Sequence, residues 1–185
     1  RNGQRQHGRN GTWERPLIRF DCTPETCPPG GERALTGGEI ALVRSMFGNA
    51  VDTGAVRIRR RRWLPFQPRH VTMAPMGHLH FHPASAAYCD DFSAAQIELQ
   101  GHFIHEMTHV WQAQTRGRWH LVLRRHPLCR YDYTLKSGWP LERYGLEQQA
   151  EIVRHAFLLR QGHAVTGVAS QRAYDLLVDF PGADY

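Results

Sequence analysis

The feature that most constrains this chain is the motif His-Glu-Met-Thr-His at residues 105–109. It lies within a stretch, about 94–115, whose apolar residues recur at helical spacing, and Gly117 is expected to end the helix. Positions i and i+4 of a helix share one face, so His105 and His109 can reach the same metal ion. Glu106 is rotated by about 100° from His105, which sets its carboxylate beside such an ion. The motif therefore predicts a helix that binds a metal.

The remaining positions of this helix are mostly apolar. With His105 at zero, His109 falls at about 40°, whereas the apolar positions fall between about 140° and 280°. The apolar positions are Ile97, Phe103, Ile104, Met107, Val110 and Trp111. We expect this face to pack in the core and the motif to face a cleft.

A third ligand has to come from elsewhere, because catalytic zinc takes three protein ligands and a water. His120 does not have the spacing of the extended pattern H-E-x-x-H-x-x-G-x-x-H. A second helical segment carries Glu147 and Glu151 at i and i+4. We assign Glu147 as the ligand and Glu151 as the carboxylate that accepts a hydrogen bond from a ligand histidine. The alternative is that both are solvated acids on a helix surface.

The order of the other elements predicts an α+β domain over residues 36–185, preceded by a partly irregular N-terminal arm over residues 1–35. Thr36 and Glu39 have the spacing of a capping box, and so do Ser93 and Gln96. The predicted elements are a helix over 37–48, a strand over 55–60, a hairpin over 71–82, the motif helix, and helices over 141–161 and 170–179.

Composition narrows the possible functions. A hydrophobic fraction of 41% and a charged fraction of 22% are ordinary for a folded domain. No stretch approaches about 18 uncharged apolar residues, so no membrane span is expected. The net charge is +6, and Arg57 and residues 59–62 form the densest basic run. The alternation there favours the exposed face of a strand, so nucleic acid is not an expected partner.

Two smaller groups of residues leave alternatives open. His78, His80 and His82 alternate on a predicted strand, and a partly solvated sheet face is favoured over a second metal site. Cys22 with Cys27, and Cys89 with Cys129, are either disulfide pairs or free thiols.

The sequence His-Glu-Met-Thr-His-Val-Trp-Gln, followed by Glu-Gln-Gln-Ala-Glu, resembles zinc metallopeptidases of the gluzincin type. It is most similar to small bacterial H-E-x-x-H proteins described as Vgr-related, and to metallopeptidase domains associated with contractile injection systems. The resemblance covers about residues 36–162, including Tyr88-Cys-Asp-Asp-Phe92 and Arg130-Tyr-Asp-Tyr133. It implies a zincin-like fold, in which a small mixed β-sheet packs on the motif helix beside a second helix that carries the glutamate.

The resemblance also implies a function. His105, His109 and Glu147 would bind Zn2+, and Glu106 would be the general base in hydrolysis of a peptide or protein. Tyr144 is our candidate for the donor that stabilises the oxyanion, with Tyr131, Tyr133 and His155 as alternatives. The competing hypothesis is a catalytically silent, zinc-stabilised module for binding or assembly in a secretion or injection apparatus. Either protein would be soluble, in the bacterial cytoplasm or exported as an effector.

Overall fold

The computed structural model describes residues 26–117 and 131–183. These residues form a mixed α+β arrangement, in which three very short strands lie beside four helices. The strands are β1 (Glu32–Arg33), β2 (Ile58–Arg59) and β3 (Leu79–His80), and the helices are α1 (Gly37–Phe47), α2 (Ile97–Arg116), α3 (Leu146–Arg160) and α4 (Gln171–Asp175). The α+β prediction is confirmed at this level. None of the helices described is both long and apolar enough to cross a membrane.

Helix α1 begins as predicted. The Thr36 hydroxyl accepts the Glu39 amide at 3.1 Å, and the Glu39 carboxylate accepts the Thr36 amide at 2.9 Å. The same buried carboxylate binds two guanidinium nitrogens of Arg33 at 2.8 Å each and the Phe92 amide at 2.9 Å. Burial alone would lower the pKa of Arg33, but Glu39 outweighs it and the pKa is raised. One side chain thus ties β1, α1 and the segment before α2 together.

The sheet has the order β1-β2-β3, with β2 antiparallel to β1 and parallel to β3. On the other side of β3, Met73 and His80 exchange two backbone hydrogen bonds of 3.1 and 2.7 Å. The predicted hairpin is therefore present as one antiparallel bridge, and Gly77 adopts φ 81° in the intervening turn. The predicted strand over 55–60 is shorter because Asp52 caps a 3-10 turn over Thr53–Ala55.

Residues 26–35 of the predicted N-terminal arm lie within the described residues. Strand β1 lies inside the segment that was expected to be an arm, and Cys27 is buried there with its amide bound to Asp90 at 3.0 Å. Residues 26–35 are thus part of the fold, while residues 1–25 lie outside the described residues. The two suggested disulfide pairs also lie outside them, because each includes Cys22 or Cys129.

Helix α2 begins at Ile97, later than predicted, because Ser93 does not cap it. Asp91 accepts both the amide and the hydroxyl of Ser93, at 2.9 and 2.6 Å, and so closes a 3-10 turn over Phe92–Ala94. The helix then starts after Gln96 without a side-chain cap, and it ends at Gly117 as predicted.

The predicted helix over 141–161 is divided in two. A 3-10 turn over Leu141–Arg143 is followed by extended backbone at Tyr144, and Gly145 is the N-cap of α3. The Gln148 side chain accepts the Gly145 amide at 3.0 Å, which fixes the start of the helix. Tyr144 therefore precedes α3 and is not part of the helix that carries Glu147. Helix α4 is likewise shorter than predicted.

The core explains how α2 is held. The rings of Phe81, Phe92 and Phe103 stack in series, with centroids 5.5 and 4.9 Å apart. The opposite face of α2, which was expected to line an open cleft, packs against α3 instead. The motif is therefore buried on both sides of the helix, and His105, Glu106 and His109 are only 6%, 3% and 0% exposed.

Candidate metal centre

Three side chains converge where α2 meets α3. The Nε2 atoms of His105 and His109 lie 3.3 and 3.2 Å from the same carboxylate oxygen, Oε2 of Glu147. The three ligand atoms lie within 4.8 Å of one another, and all three residues are buried. Within the described residues, this is the one group of three or more His, Cys, Asp or Glu side chains that could hold a metal ion.

Each histidine is also held through its other ring nitrogen. The Nδ1 atom of His105 lies 2.8 Å from Oε1 of Glu151, and the Nδ1 atom of His109 lies 2.8 Å from Oε1 of Gln112. Both partners are acceptors, so each Nδ1 carries a hydrogen. In the neutral imidazole, each Nε2 then directs its lone pair at the shared centre. The structure therefore brings together His105, His109, Glu147 and Glu151, the four residues selected from the sequence.

Two glutamines, Gln112 and Gln149, complete the hydrogen bonds that hold the ligand histidines. Neither was predicted from the sequence. The Nε2 atom of Gln112 donates to the Leu146 carbonyl and to Oε1 of Gln149, at 3.0 Å each. Gln149 in turn donates to the Tyr144 carbonyl at 2.6 Å. Gln112 follows His109 by three residues, which is the only sequence signal, and a glutamine at that spacing is equally common on exposed helix faces.

Glu106 occupies a different position from the three convergent groups. Its side chain is buried, yet Oε2 has no hydrogen-bond partner among the residues described. Leaving a buried carboxylate oxygen without a donor costs about 1–3 kcal/mol or more. A buried oxygen in this state is a candidate for contact with a reactant, an ion or a water molecule.

The electrostatics of the centre favour a positive charge. Burial alone would lower the pKa of His105, but hydrogen bonds to Glu147 and Glu151 and the charge of Glu106 raise it to about 9. Burial would raise the pKa of Glu151, but the hydrogen bond and charge of His105 outweigh this effect and the pKa is lowered. The carboxylates thus stabilise a cation here, whether a proton or a metal ion supplies it.

The aromatic candidates are distributed around the centre. The Tyr144 hydroxyl accepts the Lys136 amide at 2.8 Å, which anchors a loop. The Tyr133 hydroxyl lies 2.6 Å from both His155 Nδ1 and the Tyr174 hydroxyl, and this contact leaves it within a packed cluster. Tyr131 is half exposed, and its ring lies over His105 with centroids 6.4 Å apart.

A cavity of about 390 Å³ lies next to Glu151. Its walls include Tyr131, Tyr133 and His155 on one side and residues 167–169 on another. This volume is at the lower end of the range for ligand pockets. The three convergent side chains are therefore buried between the two helices, and a cavity of mixed polar and apolar lining begins at Glu151.

The row of histidines on the hairpin is not a second centre. His80 and His82 are buried, which corrects the expectation of a partly solvated face. His82 contacts Arg62 at 2.9 Å, and the ring of His80 lies against Trp63 with centroids 5.2 Å apart. These histidines pack between the arginine-rich segment and the sheet.

Comparisons with known proteins give one sequence relative at high similarity, and no protein-family model matches the chain. The chain is 37% identical over 156 residues to the type VI secretion system spike protein VgrG2b of Pseudomonas aeruginosa. The match covers 80% of this chain but 15% of the spike protein, so the chain corresponds to a small part of that protein.

A solved structure identifies that part. The effector domain of Pseudomonas aeruginosa VgrG2b aligns with a TM-score of 0.64 and 33% sequence identity. The alignment covers 87% of this chain and 88% of the domain, so the two share nearly their whole length. The chain therefore belongs to the family of the VgrG2b effector domain.

Proposed function

We propose that this chain is a zinc metallopeptidase with a zincin-like fold, and that it acts as an exported effector. The observation that carries the proposal is the convergence of His105 Nε2, His109 Nε2 and Glu147 Oε2. The similarity to the effector domain of VgrG2b supports the proposed role as an exported effector.

The two nitrogen–oxygen separations around Glu147 are compatible with a zinc site. In a tetrahedral site with bonds of about 2.0–2.1 Å, two ligand atoms are separated by about 3.3–3.4 Å. The two nitrogen–oxygen distances are 3.3 and 3.2 Å. Two imidazoles and one carboxylate are also a ligand set of catalytic zinc sites, which keep one position for water. A zinc ion bound in such a set acts as a Lewis acid and lowers the pKa of its water to about 7.

Glu106 is the proposed general base. Its unpartnered Oε2 accepts a proton from the water that attacks the peptide carbonyl, and it then returns the proton to the leaving amine. Burial at 3% exposure keeps bulk water away from this carboxylate, which strengthens its interaction with the reacting groups. The role depends on its position one residue after His105, which directs it to the side of the ligand atoms.

Tyr144 remains the proposed oxyanion donor, and Tyr131 is the alternative. The Tyr144 hydroxyl is bound to the Lys136 amide, whereas the Tyr131 ring lies over the ligand His105. The Tyr144 hydroxyl accepts that amide hydrogen and keeps its own hydrogen to donate to a substrate carbonyl oxygen. The adjacent cavity of about 390 Å³ provides room for a substrate side chain.

The decisive experiment compares the wild type with Glu106→Gln. Each protein is assayed for zinc by elemental analysis and for cleavage of a denatured protein library by mass spectrometry. We expect about one zinc per chain in both proteins, and new peptide termini with the wild type alone. Glu98→Gln, an exposed glutamate on the same helix, is the matched control and should cleave as the wild type does.

The two competing hypotheses give different results in this experiment. Equal zinc in both proteins with cleavage by neither would favour the catalytically silent module for binding or assembly. Absence of zinc from the freshly purified wild type would remove both hypotheses.

A further inference from the structure

An apolar tip projects from the loop over residues 61–70, which connects β2 to β3. Phe66 is 93% exposed and Leu64 is 50% exposed, and Pro65 between them is exposed as well. Exposed large hydrophobic residues are scarce in the rest of the described chain, where Tyr131 and Leu176 are the others. Adjacent exposed apolar side chains on one turn are typical of a surface that contacts another protein, a ligand or a membrane.

The tip is held in place by a buried glutamine. Gln67 is 5% exposed, and its side chain accepts the Trp63 amide at 2.8 Å and donates to the carbonyls of Val71 and His80 at 2.8 and 3.0 Å. Its own amide donates to the Leu64 carbonyl at 3.1 Å, which closes a turn with Pro65 and Phe66 at its apex. The loop is thus anchored on β3, and its exposed apex is a defined part of the fold.

The charge around the tip is predominantly positive, and Glu32 is the acid that pairs there with Arg59 and Arg61. No Asp or Glu occurs between Asp52 and Asp90, while Arg57, residues 59–62 and Arg69 are all arginine. Arg61, Arg62 and Arg69 are exposed at the base of the tip. An apolar apex with a basic collar is complementary to a bilayer that carries anionic headgroups, because the apex enters the acyl boundary and the collar meets the phosphates.

Nucleic acid fits this surface less well. Arg59 and Arg61 both bind Glu32, at 3.1 and 3.0 Å, and Arg60 binds the backbone carbonyls of Cys27 and Pro83. These guanidinium groups contribute positive potential, but they do not form an open row of donors that follows a phosphate backbone. The apex also has a single aromatic ring, flanked by aliphatic residues, where a stacking platform needs several rings.

We propose that residues 61–70 form a docking surface for an anionic lipid bilayer, with Leu64 and Phe66 as the inserting side chains. The surface binds peripherally, at the headgroup region of the bilayer. This binding does not require the metal centre. The Thr72 hydroxyl lies 2.8 Å from His102 Nε2, one turn of α2 before His105, so the loop is rooted close to the proposed active site. Docking there would bring the centre to substrates at a membrane surface.

The test is co-sedimentation of the purified protein with vesicles of phosphatidylcholine alone, or of phosphatidylcholine with phosphatidylglycerol. We expect binding to the anionic vesicles only. The double variant Leu64→Ser/Phe66→Ser should lower the partition coefficient by at least about tenfold, because two apolar side chains no longer leave water. Leu176→Ser is the matched control, since Leu176 is 79% exposed on another face, and it should bind as the wild type does.

A second variant tests the charge. Arg69→Gln should weaken binding to anionic vesicles, and raising the salt concentration should weaken wild-type binding further. Circular dichroism and unchanged zinc content establish that each variant is folded. Wild-type affinity in the double variant would overturn the proposal, and so would an absence of binding to anionic vesicles. Phe66-dependent binding to a single-stranded oligonucleotide without vesicle binding would overturn it in favour of a nucleic-acid surface.

Discussion

The Oε1 atom of Gln112 lies 2.8 Å from Nδ1 of His109, almost one turn further along α2. Its amide nitrogen simultaneously reaches across to the Leu146 carbonyl and to Gln149 at the start of α3. The Gln112 amide therefore fixes the orientation of the His109 imidazole. It also fixes the distance between that imidazole and α3, which supplies the third ligand.

We predict that Gln112→Ala lowers zinc affinity by about 10–100-fold, which is the usual cost of losing a group that orients a metal ligand. The reason is that the His109 ring loses the acceptor that fixes its tautomer. Competition with a fluorescent chelator measures the affinity. Gln114→Ala changes an exposed glutamine on the same helix and should keep the wild-type affinity. Equal affinities for the two variants would contradict the role assigned to Gln112.

Removing a ligand should have a larger effect than removing its support. His109→Ala takes away one of the three convergent atoms, and we expect the purified variant to contain less than about a tenth of the wild-type zinc. Glu151→Gln retains an acceptor near His105 and should keep most of the metal. Elemental analysis after dialysis distinguishes the two. Full zinc occupancy in His109→Ala would show that the ion is held elsewhere.

The buried carboxylate of Glu39 should dominate the stability of the N-terminal half. Glu39→Gln leaves the Arg33 guanidinium buried without its charge partner, and we expect a loss of about 3–5 kcal/mol in the free energy of unfolding. Urea denaturation measures it. Glu32→Gln breaks the half-exposed pairs with Arg59 and Arg61 and should cost at most about 1 kcal/mol. Similar losses in both variants would argue against a special role for Glu39.

His80 should make stability depend on pH in a definite direction. Burial and the charge of Arg59 lower its pKa to about 4, whereas the unfolded chain protonates the same ring near its ordinary pKa of about 6.5. Above the higher value neither state binds the proton. As pH falls from about 6.5 to about 4, the unfolded state takes up the proton first, and the free energy of unfolding decreases.

The variant His80→Phe isolates this contribution. Unfolding by urea at pH 7 and pH 5 should show a smaller decrease in stability for the variant than for the wild type, because the other titrating groups are common to both. A decrease of the same size in the two proteins would mean that His80 titrates alike in the folded and unfolded chain.

Local signals were sufficient for much of the helical framework. The capping box of Thr36 and Glu39 and the stop at Gly117 depend on residues a few positions apart, and both appear in the structure. The capping box proposed for Ser93 was wrong, since Asp91 competes for the same amide and a 3-10 turn forms first. The spacing is the same in the two cases, but the residue three positions on is Glu39 in one and Gln96 in the other, and only Ser93 has its amide bound by Asp91.

The candidate site could be predicted only in part, because the sequence patterns that point to it are local. The i and i+4 spacings place His105 with His109, and Glu147 with Glu151, on two helix faces, but they do not say that the two faces meet. That contact joins residues 38 positions apart in sequence. The burial of the motif and the roles of Gln112 and Gln149 follow from the contact between α2 and α3. They could therefore not be predicted from the hydrophobic periodicity of either helix.

The candidate metal centre and the cavity beside it are built from different parts of the chain. Every atom that would hold or orient the ion comes from α2 or α3, whereas the cavity beside it is bounded largely by the connecting segments 131–135 and 167–169. We therefore expect relatives to keep the helix pair that carries the candidate ligands, and variation among them to accumulate first in the connecting segments that border the cavity.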